Sequence, residues 1–287
     1  MRFVTFEGAK GPRAAAVRDG QYVDLHAADP HLPTSLKEIL AGGPAVMELV
    51  RHAARSGASV EADAVRLLAP IPDPQKVLCV GLNYVDHARE SRMEPPSEPV
   101  YFCKLPTAVI AHEQPIVLPK VSEKVDYEAE LVVVIGRGGR DIALERALDH
   151  VAGYCIGNDV SARDWQLQKP GGQWLLGKTF DTFAPTGPEM VTVDEVGDAG
   201  NLRIQLRLNG QTMQDSSTQQ LIFSVPKLIA YVSQVCTLVP GDVIFTGTPP
   251  GVGSARKPPV FLKPGDVCEV EIEKLGVLRN RCVAAAS

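Results

Sequence analysis

The chain has 287 residues, 45% hydrophobic and 22% charged, which suits one large globular domain, or one with a small companion, and excludes a disordered chain. Its net charge of -5 leaves no basic footprint for nucleic acid. No apolar run approaches a membrane span and "MRFVTFEGAK" has no apolar signal core, so a cytoplasmic protein with no membrane partner is expected.

Residues 1–70 read as a small α+β unit. In "AAAVRDGQYVDL", Asp19-Gly20 lies between two strand-like runs, as in a tight hairpin. "SLKE", from Ser35 to Glu38, fits a capping box opening a short helix. "PAVMELVRHAARSG" predicts a second helix, with Pro44 at its start, a stripe of Val46, Leu49, Val50 and Ala53, and a stop at Gly57. The proline-rich "APIPDPQK" is a stiff connector and sets a boundary between domains of 1–70 and 71–287.

Strand signals dominate after the connector: "KVLCVGLNY", "VDYEAELVVVIG", "VAGYCIGNDV", "LRIQLRLNGQ", "DVIFTGTP" and "DVCEVEIEKLGVLRNRCV". One clear helix intervenes, "SVPKLIAYVSQVCTLV", with Leu228, Ile229, Val232 and Val235 as its stripe. "PGD" occurs twice, each time as a turn before a strand. Without regular βαβ alternation, a β-rich α+β fold is expected rather than a doubly wound parallel sheet. Six cysteines (Cys79, Cys103, Cys155, Cys236, Cys268 and Cys282) form no C-x-x-C pair and read as reduced thiols, mostly core fillers.

Within "VDYEAELVVVIG", Glu128 and Glu130 are two apart and share one face of an otherwise apolar strand. The run Leu131 to Ile135 is apolar on both faces, which predicts burial on both sides. Two buried anions repel each other and need an Arg or Lys, a shared proton or a metal ion. Asp159 in "GYCIGNDVSARDWQ" ends another apolar run at a glycine-containing bend. Three carboxylates without His or Cys make an all-oxygen set for a hard cation, Mg²⁺ or Mn²⁺, rather than zinc. In "NYVDHARE", His87 and Glu90 are three apart, which on a helical turn pairs an imidazole with an orienting carboxylate, as a general base requires. The Pro- and charge-rich "SRMEPPSEP" that follows suits a lid.

"GGQWLLGKT" matches the spacing of a phosphate-binding P-loop, but bulky residues fill the loop and Pro185 and Pro188 follow, so nucleotide binding is not expected.

Taken together and in order, "GLNYVDHARE", "FCKLPTAVI", "VDYEAELVVVIG", "GNDVSARDWQ", "GKTFDTFAPTGP" and "FTGTPPGVG" resemble the fumarylacetoacetate hydrolase family over roughly residues 75–285. The resemblance implies a mixed β-sandwich roll, a homodimer and one divalent metal, Mg²⁺ or Mn²⁺, per site. It implies Glu128, Glu130 and Asp159 as ligands, His87 and Glu90 as a water-activating dyad, and Lys178 as the group facing developing negative charge. Lys104, Arg163, Gln166 and Thr248 would line the pocket. The implied reaction is hydrolysis of a β-diketo acid, an acylpyruvate such as fumarylpyruvate or acetylpyruvate, to pyruvate and a carboxylic acid. The alternatives are oxaloacetate-type decarboxylation, 2-hydroxyhepta-2,4-diene-1,7-dioate-type isomerisation, and hydrolysis or dehydration of deoxy sugar-derived 2-oxo acids.

Overall fold

The computed structural model describes residues 1–86 and 94–286, which form a β-rich α+β fold with most of its strands in two sheets. The larger, of 12 strands, is built around Ala129–Ile135, which pairs antiparallel with Val151–Asn158 on one side and Val243–Phe245 on the other. Val77–Gly81 adds in parallel beside Val243–Phe245, and Val100–Lys104 closes that edge. In the other direction Ala184–Thr192 follows, then the N-terminal strand Arg2–Gly8. The sheet therefore runs unbroken from the first residues into the middle of the chain. The smaller sheet has five strands, in the order Gln211–Ser217, Arg203–Leu208, Val267–Ile272, Gly276–Ala284 and Ile116–Leu118.

The central strand explains this layering. Every residue from Ala129 to Ile135 is buried. Leu131, Val133 and Ile135 pack with Ile204, Leu206 and Val270 of the smaller sheet. Val132 and Val134 point the other way, into a second core with Cys79 and Phe245 that is capped by Leu25, Leu36, Ile39 and Val50. The helices of the first 70 residues thus cover one face of the larger sheet, which is why the central run is apolar on both sides.

Local details follow the sequence with three corrections. Asp19 (φ 52°) and Gly20 (φ 77°) are both left-handed, as a two-residue turn matching strand twist requires. Ser35 does precede the helix Leu36–Ala41, but its side chain makes no capping bond, so the reciprocal capping box is not formed. In the helix Gly43–Ser56 the buried residues are Val50, Ala53 and Ala54, whereas Leu49 is exposed; the covered face lies one position further along than its spacing suggested. The helix Val225–Ser233 buries Leu228, Ile229 and Val232, but ends before Val235, which is 73% exposed. Among the described residues no helix is long and apolar enough to cross a membrane.

Leu131 is fully buried between the two sheets, so Leu131→Ala should lower unfolding free energy by about 2–5 kcal/mol through lost transfer energy and a cavity. Urea denaturation checks this; an unchanged midpoint would mean that the contact between sheets contributes little.

Candidate active site

The site forms where strands of the larger sheet end. The regular strand begins at Ala129, and Glu128 sits in a short break after the bridge Val125–Asp126. There its N–H donates to Asn158 Oδ1 (2.9 Å) instead of to a backbone ladder, while Asp159 N donates to Glu128 O (2.9 Å). This exchange holds the end of Val151–Asn158 beside the acidic run. Glu130 Oε2 accepts from Gly247 N (2.7 Å), just past Val243–Phe245. Gly247 has φ 102°, a backbone conformation open to glycine, which lets the "FTGTPPG" turn place its amide there. Carboxylate oxygens of Glu128, Glu130 and Asp159 consequently lie within 4.8 Å of one another, all buried.

Cations approach from two short helices. Arg163 opens Arg163–Gln168, directly after Ser161–Ala162, which pairs with Val125–Asp126. Its guanidinium reaches Asp126 Oδ2 (2.9 Å), Glu128 Oε1 (2.7 Å) and Gln166 Oε1 (3.0 Å). Lys178 closes Trp174–Lys178, and its Nζ donates to Glu128 Oε2 (2.7 Å) and Asp159 Oδ2 (2.9 Å). Gly177 makes this placement possible, because a Cβ there would lie 2.5 Å from Gln166 N. The helix ends at Lys178 rather than starting there, so the P-loop spacing has no phosphate-binding geometry behind it.

Lys104 does not line the pocket as expected. It is 2% exposed, and its Nζ donates to the carbonyls of Val160 (3.0 Å), Phe183 (2.8 Å) and Lys178, and lies 2.6 Å from Asp159 Oδ1. A buried ammonium needs such a cage, and this one fixes Asp159 and the backbone of Lys178 from below. Thr248 does reach the wall, with its hydroxyl accepting from Gln214 Nε2 (2.9 Å). Glu128, Arg163, Gln166, Lys178 and Thr248 thus border one cavity of about 490 Å³, with Glu130 and Asp159 buried beside Glu128. His87 and Glu90 lie outside the described residues, as does the start of the "SRMEPPSEP" segment.

Asp126 is the residue that sequence reasoning missed. It is fully buried and accepts from Arg163 Nε, Gly253 N (2.7 Å), Ser254 N (2.9 Å) and Tyr127 N (2.9 Å). It ties Arg163 to the 252–255 loop on another wall of the same cavity. The signal was present, since Asp126, Glu128 and Glu130 recur at a period of two.

Burial opposes ionisation of Glu128, but Lys178 and Arg163 outweigh it and hold its carboxyl below the usual carboxylate range. Glu130 goes the other way: burial, then the charges of Asp159 and Glu128, push it well above that range. Burial lowers Lys178, but Asp159 and Glu128 more than restore it, so the ammonium stays charged. Glu130 is thus the acid least compensated by nearby cations and favours its neutral form, and the three oxygens suit a hard divalent cation. Ligands about 2.0–2.1 Å from one Mg²⁺ lie at most about 4 Å apart, close to the spread seen. The residues present fit such an ion.

Comparison with known proteins agrees with the geometry. The family model described as "Fumarylacetoacetate (FAA) hydrolase C-terminal" matches residues 76–283. The chain belongs to the fumarylacetoacetate hydrolase family. It is 49% identical to "Oxaloacetate tautomerase FAHD2A, mitochondrial" of Bos taurus, over 99% of this chain and 92% of that one. Among solved structures it resembles fumarylacetoacetate hydrolase from psychrophilic Exiguobacterium antarcticum, at 38% identity and a TM-score of 0.86, covering 99% and 100% of the two chains. It also resembles maleylpyruvate hydrolase from Sphingobium sp. SYK-6 in complex with manganese (II) ion and pyruvate, at 29% identity and a TM-score of 0.83, with both chains fully covered. These family members are named as a tautomerase and as hydrolases, so membership alone does not select C–C hydrolysis, and the tautomerase's name places it in mitochondria rather than the cytoplasm.

Removing Asp126 leaves Arg163 short of an anion and frees two loop amides, so Asp126→Ala should cost about 3–5 kcal/mol of stability, read by urea denaturation. A loss below about 1 kcal/mol would show that the contact is dispensable. The two glutamates also give opposite pH dependence in the metal-free protein. Stability from the lowered Glu128 is present above its unfolded pKa and lost as pH falls through its folded value. The raised Glu130 contributes below its unfolded pKa, and that contribution falls as pH climbs to its folded value. A cation must displace the Glu130 proton, so Mn²⁺ affinity measured by titration calorimetry should increase with pH, with proton release detected in buffers of different ionisation heat. Glu130→Gln should abolish that release; pH-independent affinity in the parent protein would contradict it.

Proposed function

We propose that this protein is a divalent-metal-dependent enzyme that enolises small 2-oxo acids, interconverting the keto and enol forms of oxaloacetate. The observation that carries this reading is the Lys178 ammonium, fixed between Glu128 and Asp159 at the cavity wall. Two of its three N–H groups are committed there, which leaves one for the oxygen of a 2-oxo acid as negative charge grows on it. Glu128, Glu130 and Asp159 would hold Mg²⁺ or Mn²⁺, which when bound supplies Lewis-acid polarisation of the 2-oxo group.

In the tautomerisation a proton leaves C3, the C2 oxygen gains one, and the double bond moves to C2–C3; no water is consumed. Arg163 carries positive charge at the same wall and is held rigid by Asp126 and Gln166, so it orients a carboxylate without moving. His87, backed by Glu90, is expected from the sequence as a water-activating pair; in this reading it would instead carry the proton between C3 and the C2 oxygen. The small 2-oxo acid partner and the homodimer are proposed on the same footing.

Acylpyruvate hydrolysis is the second reading. It passes through a 2-oxo acid enolate of the same kind, that of pyruvate as leaving group, and draws support from the Sphingobium neighbour, whose structure holds manganese and pyruvate, and from a His–Glu pair suited to activating water.

With Mg²⁺ or Mn²⁺, the protein should accelerate oxaloacetate enol–keto exchange, followed by ultraviolet absorbance. EDTA should remove the acceleration, and Lys178→Met should lower kcat/KM by about 100-fold or more. Pyruvate release from acetylpyruvate or fumarylpyruvate, with no acceleration of oxaloacetate exchange, would replace the tautomerase reading with the hydrolytic one.

A further inference from the structure

The cavity is larger and more apolar than a four-carbon dianion needs. Its volume of about 490 Å³ lies within the range of roughly 300–1,000 Å³ typical of pockets for drug-sized ligands. Among the described residues the charged side chains on its wall are Glu128, Arg163 and Lys178, while Val80, Leu82, Phe102, Leu167, Trp174 and Val252 line most of the rest, with Gln166, Thr248 and Ser254 as the uncharged polar groups. Phe102 and Trp174 meet edge to face, with ring centroids 5.4 Å apart. Lys178 Nζ is 5.1 Å from the centre of the Phe102 ring, so the aromatic wall begins immediately beside the charged end. The wall is a built feature, because the Trp174 ring packs against Gly81, where a Cβ would come within 2.7 Å of it.

Charge points the same way. The buried network holds three cations, Lys104, Arg163 and Lys178, against four carboxylates, Asp126, Glu128, Glu130 and Asp159. One divalent ion would bring it to a single net positive charge. That balance suits a substrate with one carboxylate better than one with two. A second carboxylate extending past Lys178 would face Phe102 and Trp174, which offer no anion-binding group there except the indole N–H.

We propose that the Phe102–Trp174 wall is a subsite for a flat apolar tail, and that the enzyme also enolises 2-oxo acids with one carboxylate and an aryl group, of which phenylpyruvate is the simplest probe. The inference rests on the enolisation reading above and extends it to a second substrate class. The reaction is again an isomerisation: the C3 proton is removed, the C2 oxygen is protonated, and the double bond forms between C2 and C3, in conjugation with the ring. The ring of such an acid would lie against Phe102 and Trp174, with its carboxylate and 2-oxo group at the charged end.

The experiment measures enol–keto exchange of phenylpyruvate and oxaloacetate with Mn²⁺, together with quenching of tryptophan fluorescence by phenylpyruvate, for the parent protein, Trp174→Leu and Trp174→Phe. The chain has two tryptophans, and only Trp174 lies on this wall, so Trp174→Leu should lose the quench that Trp165 cannot report. It should lower kcat/KM for phenylpyruvate about tenfold, mainly through KM, and leave oxaloacetate within about twofold, with Trp174→Phe recovering most of the loss. Exchange of oxaloacetate without binding or exchange of phenylpyruvate would overturn the subsite and leave the tautomerase reading intact. Saturable quenching by phenylpyruvate without exchange of either acid would uphold the subsite and sink the enolisation. Equal losses for both acids in Trp174→Leu would mark Trp174 as structural and overturn the proposal.

Discussion

An alternating chain of buried charge organises this molecule. Asp126 holds Arg163, Arg163 and Lys178 share Glu128, and Lys178 and Lys104 share Asp159. None of these groups could be left alone in the interior, since an isolated buried ion costs several kcal/mol after relaxation. Each therefore fixes its neighbours, and the chain draws together segments far apart in sequence. The constraint extends into the backbone: Lys104 binds three carbonyls, and Asp126 accepts three amide hydrogens besides Arg163.

On the enolisation reading, positioning and chemistry would fall to different residues. Lys104 and Asp126 are buried below the cavity, while Lys178, Arg163 and Glu128 reach its surface. Electrostatic stabilisation of a developing anion requires donors already in place before charge moves. A lysine on a flexible side chain would otherwise lose much of its effect to reorientation, and here two carboxylates hold it. Glu130 lacks a cation at hydrogen-bond distance among the described residues and takes only a backbone amide, which makes it the acid that a divalent ion would most relieve.

Much of this was legible in the sequence. The period-two spacing of Glu128 and Glu130, the apolar run after them and the acid at the end of the next strand placed three carboxylates together, and the β-rich architecture followed from strand signals without βαβ alternation. What could not be read were relations set by close approach. Lys104 belongs to the same kind of short motif as Lys178, and nothing in "FCKLP" tells whether its ammonium points at solvent or at three carbonyls. Asp126 continues the acidic alternation, but its importance depends on the 253–254 amides, 127 residues or more further along the chain. Helix faces slipped for a related reason: Leu49 and Val235 fit an apolar period, yet whether a residue is covered depends on where the helix ends and what lies across from it.

The N-terminal helices add no side chain to the cavity wall among the described residues, but they have a bearing on it. They cover the face of the larger sheet where Cys79, Val132, Val134 and Phe245 pack, on the same three strands that end in the site. A chain trimmed at the proline-rich connector would present that face to water and leave Ala184–Thr192 with an unpaired edge where Arg2–Gly8 had been. Such a fragment would keep all three clustered carboxylates and their charged partners, yet expose a sticky surface and a template for strand addition. The first 70 residues thus act as a cover for one face of that sheet and a partner for its edge strand.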